Sequence, residues 1–184
     1  PTRAEVSDVA NAVLDGTDAV MLSAETAAGR FPLETVKEMA NICRVAEQAS
    51  HLDLDASFAG KIFDRIDQSI AMGALFTAYH LGAKAIVALT DSGSTALWMS
   101  RHRIHIPIYA LTPKLATQRK MALYRNVRPL LMDQNVERDR ALSEAEAHLK
   151  ERGILSAGDI YAITCGEPMG APGGTNMLKI CVAN

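Results

Sequence analysis

A layered α/β fold, with a mainly parallel five-stranded sheet, helices on both faces and an antiparallel last strand, is what three observations predict for this chain of 184 residues. From Asp67 onward, stretches of helical periodicity alternate with short apolar runs, the order that builds a parallel sheet. Those runs are continuous rather than alternating, as in Ala85-Ile86-Val87-Ala88-Leu89, which suits strands buried on both faces. The last run follows the fourth through a Gly/Pro-rich loop with no helical stretch between them. A parallel strand would need a crossover, so this one is predicted to be antiparallel.

The elements follow in order. Arg3 to Leu14 carries Val6, Val9, Ala10, Val13 and Leu14 at helical spacing, with Gly16 as a stop. Ala19–Leu22 is a short apolar run that suits a buried parallel strand. Ser23 to Arg30 is a small-residue loop, and Pro32 fits the first turn of a helix from Leu33 to Ala49, striped by Val36, Met39, Ala40, Cys43 and Ala46. Ser50 to Lys61 breaks both periodicities, and the charge shifts across it: Pro1–Leu52 carries 4 basic and 8 acidic residues, the remainder 15 and 13. A domain boundary is placed there.

Asp67 to Leu81 is a helix with Ile70, Ala74, Leu75, Ala78 and Tyr79 inward, ended by Gly82. Strands at Ala85–Leu89, Pro107–Leu111, Val127–Met132 and Ile160–Thr164 are separated by helices from Thr95 to about His102, Lys114 to Leu123 and Arg138 to Arg152. The loop Gly166 to Gly174 precedes the last strand, Met177–Val182.

Composition excludes several classes. Apolar residues make up 48% and charged residues 22%, with formal net charge −2, which fits neither a disordered chain nor a nucleic-acid binder. The longest uninterrupted apolar run is five residues, Ala85–Leu89, against about 20 for a membrane span. Cys43, Cys165 and Cys181 are odd in number and widely spaced, which predicts buried free thiols in a reducing cytoplasm rather than a disulfide framework or zinc site. The chain opens without a signal peptide or initiator Met, and Pro1-Thr2-Arg3 reads as an excerpt from a longer polypeptide.

The residues richest in chemistry lie between Ala85 and Trp98. The loop Thr90-Asp91-Ser92-Gly93-Ser94-Thr95 offers four hydroxyls and a glycine between a strand and a helix. Hydroxyls and helix N–H groups together cradle phosphate. From Ser92 to Met132 there are seven basic residues (Arg101, Arg103, Lys114, Arg119, Lys120, Arg125, Arg128) and no acidic one. The plainer reading is an ordinary capping turn with solvated charges.

Gly166-Glu167-Pro168-Met169-Gly170-Ala171-Pro172-Gly173-Gly174 is a candidate ligand loop, since Gly166, Gly170, Gly173 and Gly174 permit close approach. A plain surface loop is the alternative. Ser23 and Glu25 lie just past a predicted strand end, where α/β proteins place active sites, though local capping accounts for them equally well. His102, Arg103 and His105 form no metal set with a third ligand.

A family resemblance carries the reading further. Pro1-Thr2-Arg3-Ala4-Glu5, Ser7-Asp8-Val9-Ala10-Asn11-Ala12-Val13-Leu14-Asp15-Gly16 and Met21-Leu22-Ser23-Ala24-Glu25-Thr26-Ala27 with Gly29 resemble pyruvate kinase of the bacterial type. Thr90-x-Ser92-Gly93-x-Thr95, Ala122-Leu123-Tyr124-Arg125-x-Val127 and Gly174-Thr175-Asn176 resemble its C-terminal domain. The resemblance implies that 1–50 is the tail of a (β/α)₈ catalytic barrel, its last helix-strand-helix, with 51–66 a linker and 67–184 the allosteric α/β domain.

It implies a cytoplasmic, tetrameric, ATP-binding glycolytic enzyme that moves a phosphoryl group from phosphoenolpyruvate to ADP with Mg²⁺ and K⁺, none of whose ligands fall in this segment. The 184 residues alone are therefore expected to be inactive. Ser23 and Glu25 match the rim of the active site, and Arg3 the surface where barrels pair. Thr90, Ser92, Gly93, Ser94 and Thr95 match the allosteric phosphate site. Family members that bind fructose 1,6-bisphosphate often carry Trp or Arg in the second loop, where this chain has Glu167. A carboxylate facing a second phosphate is unfavourable, so a monophosphate effector is expected: a hexose or pentose phosphate, or a nucleotide monophosphate. Self-association through the last strand is expected as well. The competing readings are a stand-alone phosphosugar-binding module and, more weakly, a phosphoesterase or isomerase using Ser23 and Glu25.

Overall fold

In the computed structural model, which describes residues 1–49, 62–134, 137–170 and 173–184, the chain divides into two compact units, Pro1–Leu52 and Asp53–Asn184. The first holds α1 (Arg3–Leu14), α2 (Ala24–Ala27) and α3 (Pro32–Ala49). Thr2 caps α1 in a reciprocal box: its hydroxyl accepts the Glu5 N–H at 3.3 Å and its own N–H donates to Glu5 Oε2 at 2.7 Å. Gly16 at φ 91° closes the other end.

The strand expected at Ala19–Leu22 is not formed. A parallel strand needs neighbours for its N–H and C=O groups, and no strand among the described residues of this unit offers them. Met21 is 85% exposed, and Phe31, Leu33, Val36 and Val45 are also exposed. The small-residue loop after it contains the short turn α2.

The second unit contains α4 (Ile66–His80), β1 (Ala85–Leu89), α5 (Ser94–Ser100), β2 (Ile108–Thr112), α6 (Leu115–Met121), β3 (Val127–Leu131), α7 (Arg138–Glu151), β4 (Ile160–Gly166) and β5 (Thr175–Val182). The sheet order is β3-β2-β1-β4-β5. β1 pairs in parallel with β2 and β4, and β2 with β3, whereas β5 runs antiparallel to β4. Every residue of β1 and β2 is buried, as continuous apolar strands require. Pro129 sits in β3, an edge strand, where its missing N–H removes no inner ladder bond.

Strand alternation sorts the core onto two faces. Ile86, Ala88, Ile108 and Ala110 cluster with Ala71, Leu75 and Ala78 of α4, Met99 of α5 and Met121 of α6. Val87, Leu89, Leu111 and Ile163 cluster with Ala141, Ala145 and Leu149 of α7. Of the five residues expected inward on α4, Ala74, Leu75 and Ala78 are buried, and Met72 joins them. Ala71 is buried as well, while Ile70 is half-buried and Tyr79 exposed.

Asp67 is buried at the start of α4, held by Arg65 Nε at 2.9 Å and Nη2 at 2.6 Å. Of the three thiols only Cys165 is fully buried. The expected linker, 51–66, lies for most of its length outside the described residues.

Glu146 ties α7 to the sheet. It accepts the Asn184 N–H at 3.0 Å and the Tyr161 hydroxyl at 2.7 Å. The Asn184 N–H first, then the Tyr161 hydroxyl, hold its carboxyl below the ordinary glutamate range despite partial burial. A depressed folded-state value means stabilisation that is present above the unfolded value and lost as pH falls through the folded one. Wild-type melting temperature is therefore expected to drop as pH is lowered below the ordinary glutamate range. Glu146→Gln should melt lower at neutral pH and respond less across that acid window, as read by thermal denaturation.

Candidate functional site

The C-terminal ends of β1 and β4 open side by side, because both strands run parallel at the centre of the sheet. Ligands in such sheets bind beyond the carboxyl ends of the strands. After Leu89 the chain turns at Thr90, whose Oγ1 accepts the Gly93 N–H at 2.9 Å. Gly93 has φ 83°, and a Cβ there would stand 2.9 Å from Met121 Cγ. Its left-handed turn and its seat on α6 both require the absence of a side chain.

The four loop hydroxyls divide into two pairs. Thr90 and Thr95 are buried. Thr90 closes the turn, and Thr95 Oγ1 shares a hydrogen bond of 2.7 Å with Thr175 Oγ1 at the start of β5. Ser92 and Ser94 are half-buried and face each other at 3.2 Å. Ser94 also donates its N–H to Ser92 Oγ at 3.4 Å. Ser92 and Ser94 line a small cavity beside the start of α5.

The glycine loop meets this cavity. At Gly166 a Cβ would lie 2.8 Å from the Gly174 carbonyl oxygen, so the two ends of the loop pass too close for any side chain. The β4–β5 ladder is irregular at Cys165/Gly166. Just beyond, Asn176 takes the place of a strand partner. Its Oδ1 accepts the Glu167 N–H at 2.9 Å and its Nδ2 donates to the Glu167 carbonyl at 2.8 Å.

The small cavity, of about 20 Å³, is lined by Thr90, Ser92, Ser94, Gly166, Gly170, Gly173 and Thr175, so both predicted loops contribute to one site. Beside it, sharing Gln134, Met169 and Gly170, lies a cavity of about 660 Å³ lined by Glu137, Arg138, Asp139, Glu167 and Pro168.

Glu167 is not alone there. Arg138, from the first residue of α7, donates to it at 2.6 Å and to Asp139 at 2.8 Å. Its guanidinium is pushed well above the ordinary arginine value, by Asp139 first and then Glu167. Sequence reading missed this residue because a basic group was sought inside the loop, and Arg138 reaches it from a helix. The large cavity still counts three carboxylates against one cation.

Of the seven basic residues between Ser92 and Met132, Lys114 and Lys120 reach the hydroxyl loop. Lys114 Nζ lies 2.6 Å from Asp91 Oδ2, and Lys120 Nζ donates to the Ser92 carbonyl at 2.7 Å. Arg128 instead bonds the Tyr109 hydroxyl at 3.0 Å, and Arg101 bonds Ser100.

In the first unit, Glu25 Oε2 accepts the Ser23 N–H at 2.8 Å. Its own N–H and that of Ser23 hold its carboxyl below the usual range. This is the geometry of local capping. Arg3 is exposed on α1. No group of three or more His, Cys, Asp or Glu among the described residues is arranged to hold a metal ion, and none of the described helices is long and apolar enough to cross a membrane.

Comparison with known proteins bears on both units. The family model for the pyruvate kinase alpha/beta domain matches residues 68–181, and that for the pyruvate kinase barrel domain matches residues 1–36. The chain is 46% identical over 181 residues to a protein named pyruvate kinase from Buchnera aphidicola subsp. Acyrthosiphon pisum and to pyruvate kinase II from Salmonella typhimurium, covering 98% of this chain and 38% of each of theirs. It is 46% identical over 180 residues to pyruvate kinase from Staphylococcus epidermidis, covering 97% of this chain and 31% of that one. The chain thus spans well under half the length of these relatives.

The Thr95–Thr175 pair gives a direct test of how the two loops are joined. Thr95→Val leaves the Thr175 hydroxyl buried without its partner, which should cost about 1–3 kcal/mol. Thr95→Val with Thr175→Val should recover part of that loss. A urea-unfolding double-mutant cycle measures both.

Proposed function

The chain belongs to the pyruvate kinase family, and we propose that it is the C-terminal part of such an enzyme: 1–50 the tail of the catalytic barrel, 51–66 a linker and 67–184 the allosteric domain. The parent enzyme transfers a phosphoryl group from phosphoenolpyruvate to ADP, giving pyruvate and ATP in glycolysis. The matched ranges of the two family models support this division. The family implies Mg²⁺ and K⁺ for the parent enzyme, with their ligands outside these 184 residues. Within this chain Ser23 and Glu25 support the rim of the barrel's site, and Arg3 contributes to a barrel–barrel contact. The setting is the cytoplasm.

The role of the second unit is to bind a phosphorylated effector. One observation carries this: the hydroxyl loop and the glycine loop line a single small cavity. Ser92, Ser94 and the N–H groups that open α5 hold the phosphate. Gly170 and Gly173 let the second loop close over it, and the larger cavity takes the remainder of the ligand. Three carboxylates against Arg138 in that cavity disfavour a second phosphate, so the effector is a monophosphate of a sugar or nucleoside. The exposed side chains of β5, an edge strand, supply the surface for self-association.

Calorimetric titration with a panel of sugar phosphates and nucleoside monophosphates tests the effector reading. Monophosphates should bind, fructose 1,6-bisphosphate should bind no tighter, and Ser92→Ala with Ser94→Ala should weaken binding about tenfold or more, roughly the worth of one or two charge-assisted hydrogen bonds. The same preparation should form no pyruvate above a blank in a coupled assay. Pyruvate formation would overturn the assignment of the chemistry to residues outside this chain.

A further inference from the structure

The hydroxyl loop carries no cation and one carboxylate, Asp91, whose side chain is only 19% exposed. A carboxylate beside an anion site opposes the anion, and Asp91 lines the small cavity. Helix α6 and its N-cap answer this. Lys114 Nζ stands 2.6 Å from the Asp91 carboxylate. Thr117 Oγ1 donates to the Asp91 carbonyl at 3.0 Å, and Lys120 Nζ donates to the Ser92 carbonyl at 2.7 Å. These three residues are three apart and share one face of the helix. Each turns an acceptor oxygen of the Asp91–Ser92 segment toward a donor on α6. What the loop then offers on its open side is its donors, the hydroxyls of Ser92 and Ser94 and the N–H groups that start α5.

We propose that Lys114 is a positioning residue of the effector site, which makes the loop competent for phosphate by cancelling Asp91, with Thr117 and Lys120 holding the adjoining carbonyls away. The inference rests on the reading of this loop as a phosphate site and adds to it the charge balance that sets its affinity. Lys114 does not touch the ligand. Its effect runs through Asp91, so the two residues behave as one unit. With the Lys114 side chain 57% exposed, the pair contributes little to folding stability, and the consequence is read in binding.

The experiment is a double-mutant cycle in the full chain, titrated calorimetrically with inorganic phosphate and with ribose 5-phosphate at fixed salt. Lys114→Met should weaken both ligands about tenfold, as expected for one uncompensated charge near a partly shielded site. Asp91→Asn should bind at least as tightly as wild type. Lys114→Met with Asp91→Asn should return to within about twofold of wild type, and Lys114→Arg should bind as wild type does.

Rescue in the double variant is the readout that simple loss of structure would not produce. Equal binding by wild type and Lys114→Met, or a double variant no better than Lys114→Met, overturns this inference and leaves the phosphate site standing. A wild-type chain that binds no phosphate compound overturns the site itself, and this inference with it.

Discussion

The hydrogen bond between Thr95 and Thr175 is the constraint on which the arrangement of the site depends. It joins two hydroxyls eighty residues apart in sequence, both buried. A buried hydroxyl without a partner is costly, so the start of β5 is held opposite the start of α5. That alignment places Gly166 against Gly174 and lets the glycine loop return over the hydroxyl loop. The second tether is steric. Gly93 lies against Met121 with no room for a Cβ, so the hydroxyl loop rests on α6 while its far end is tied to β5.

Around these tethers the sheet acts as a rigid frame. β1 is buried along its whole length between β2 and β4, with α4, α5 and α6 on one face and α7 on the other. The two faces supply different parts of the site. The face of α5 and α6 provides the hydroxyl loop and the lysines behind it. The face of α7 provides Arg138, which reaches Glu167 and neutralises part of the acidic wall. Both cavities therefore lie where the two layers meet above the strand ends, the position that an α/β sheet offers for binding.

Most of the second unit was legible in the sequence because its signals are local. Ala85–Leu89 is a strand by its apolar run, and Gly82 and Gly153 end helices with positive φ. The antiparallel last strand followed from the lack of a crossover. The failures are those where a partner distant in sequence decides the outcome.

Ala19–Leu22 has the composition of a strand but no neighbour to pair with among the described residues. Met72 of α4 is buried where Tyr79 was expected to be, since the elements packed on the helix decide which side of its apolar stripe is covered. Lys114, Lys120 and Arg138 were visible as charges, yet which of them would reach the site depended on the packing of α6 and α7. Thr90 and Thr95 are buried, Thr90 closing the turn and Thr95 bonded to Thr175, contacts that the hydroxyl pattern of the loop does not display by itself.

Asn176 has a consequence of a different kind. Its side-chain amide pairs with both backbone groups of Glu167, so it copies a peptide unit just past the point where the ladder becomes irregular. The stem of the glycine loop is thereby closed by one side chain in addition to the β4–β5 ladder and the Thr95–Thr175 bond. A single amide side chain thus does there the work of a strand backbone, extending the closure of the stem to Glu167.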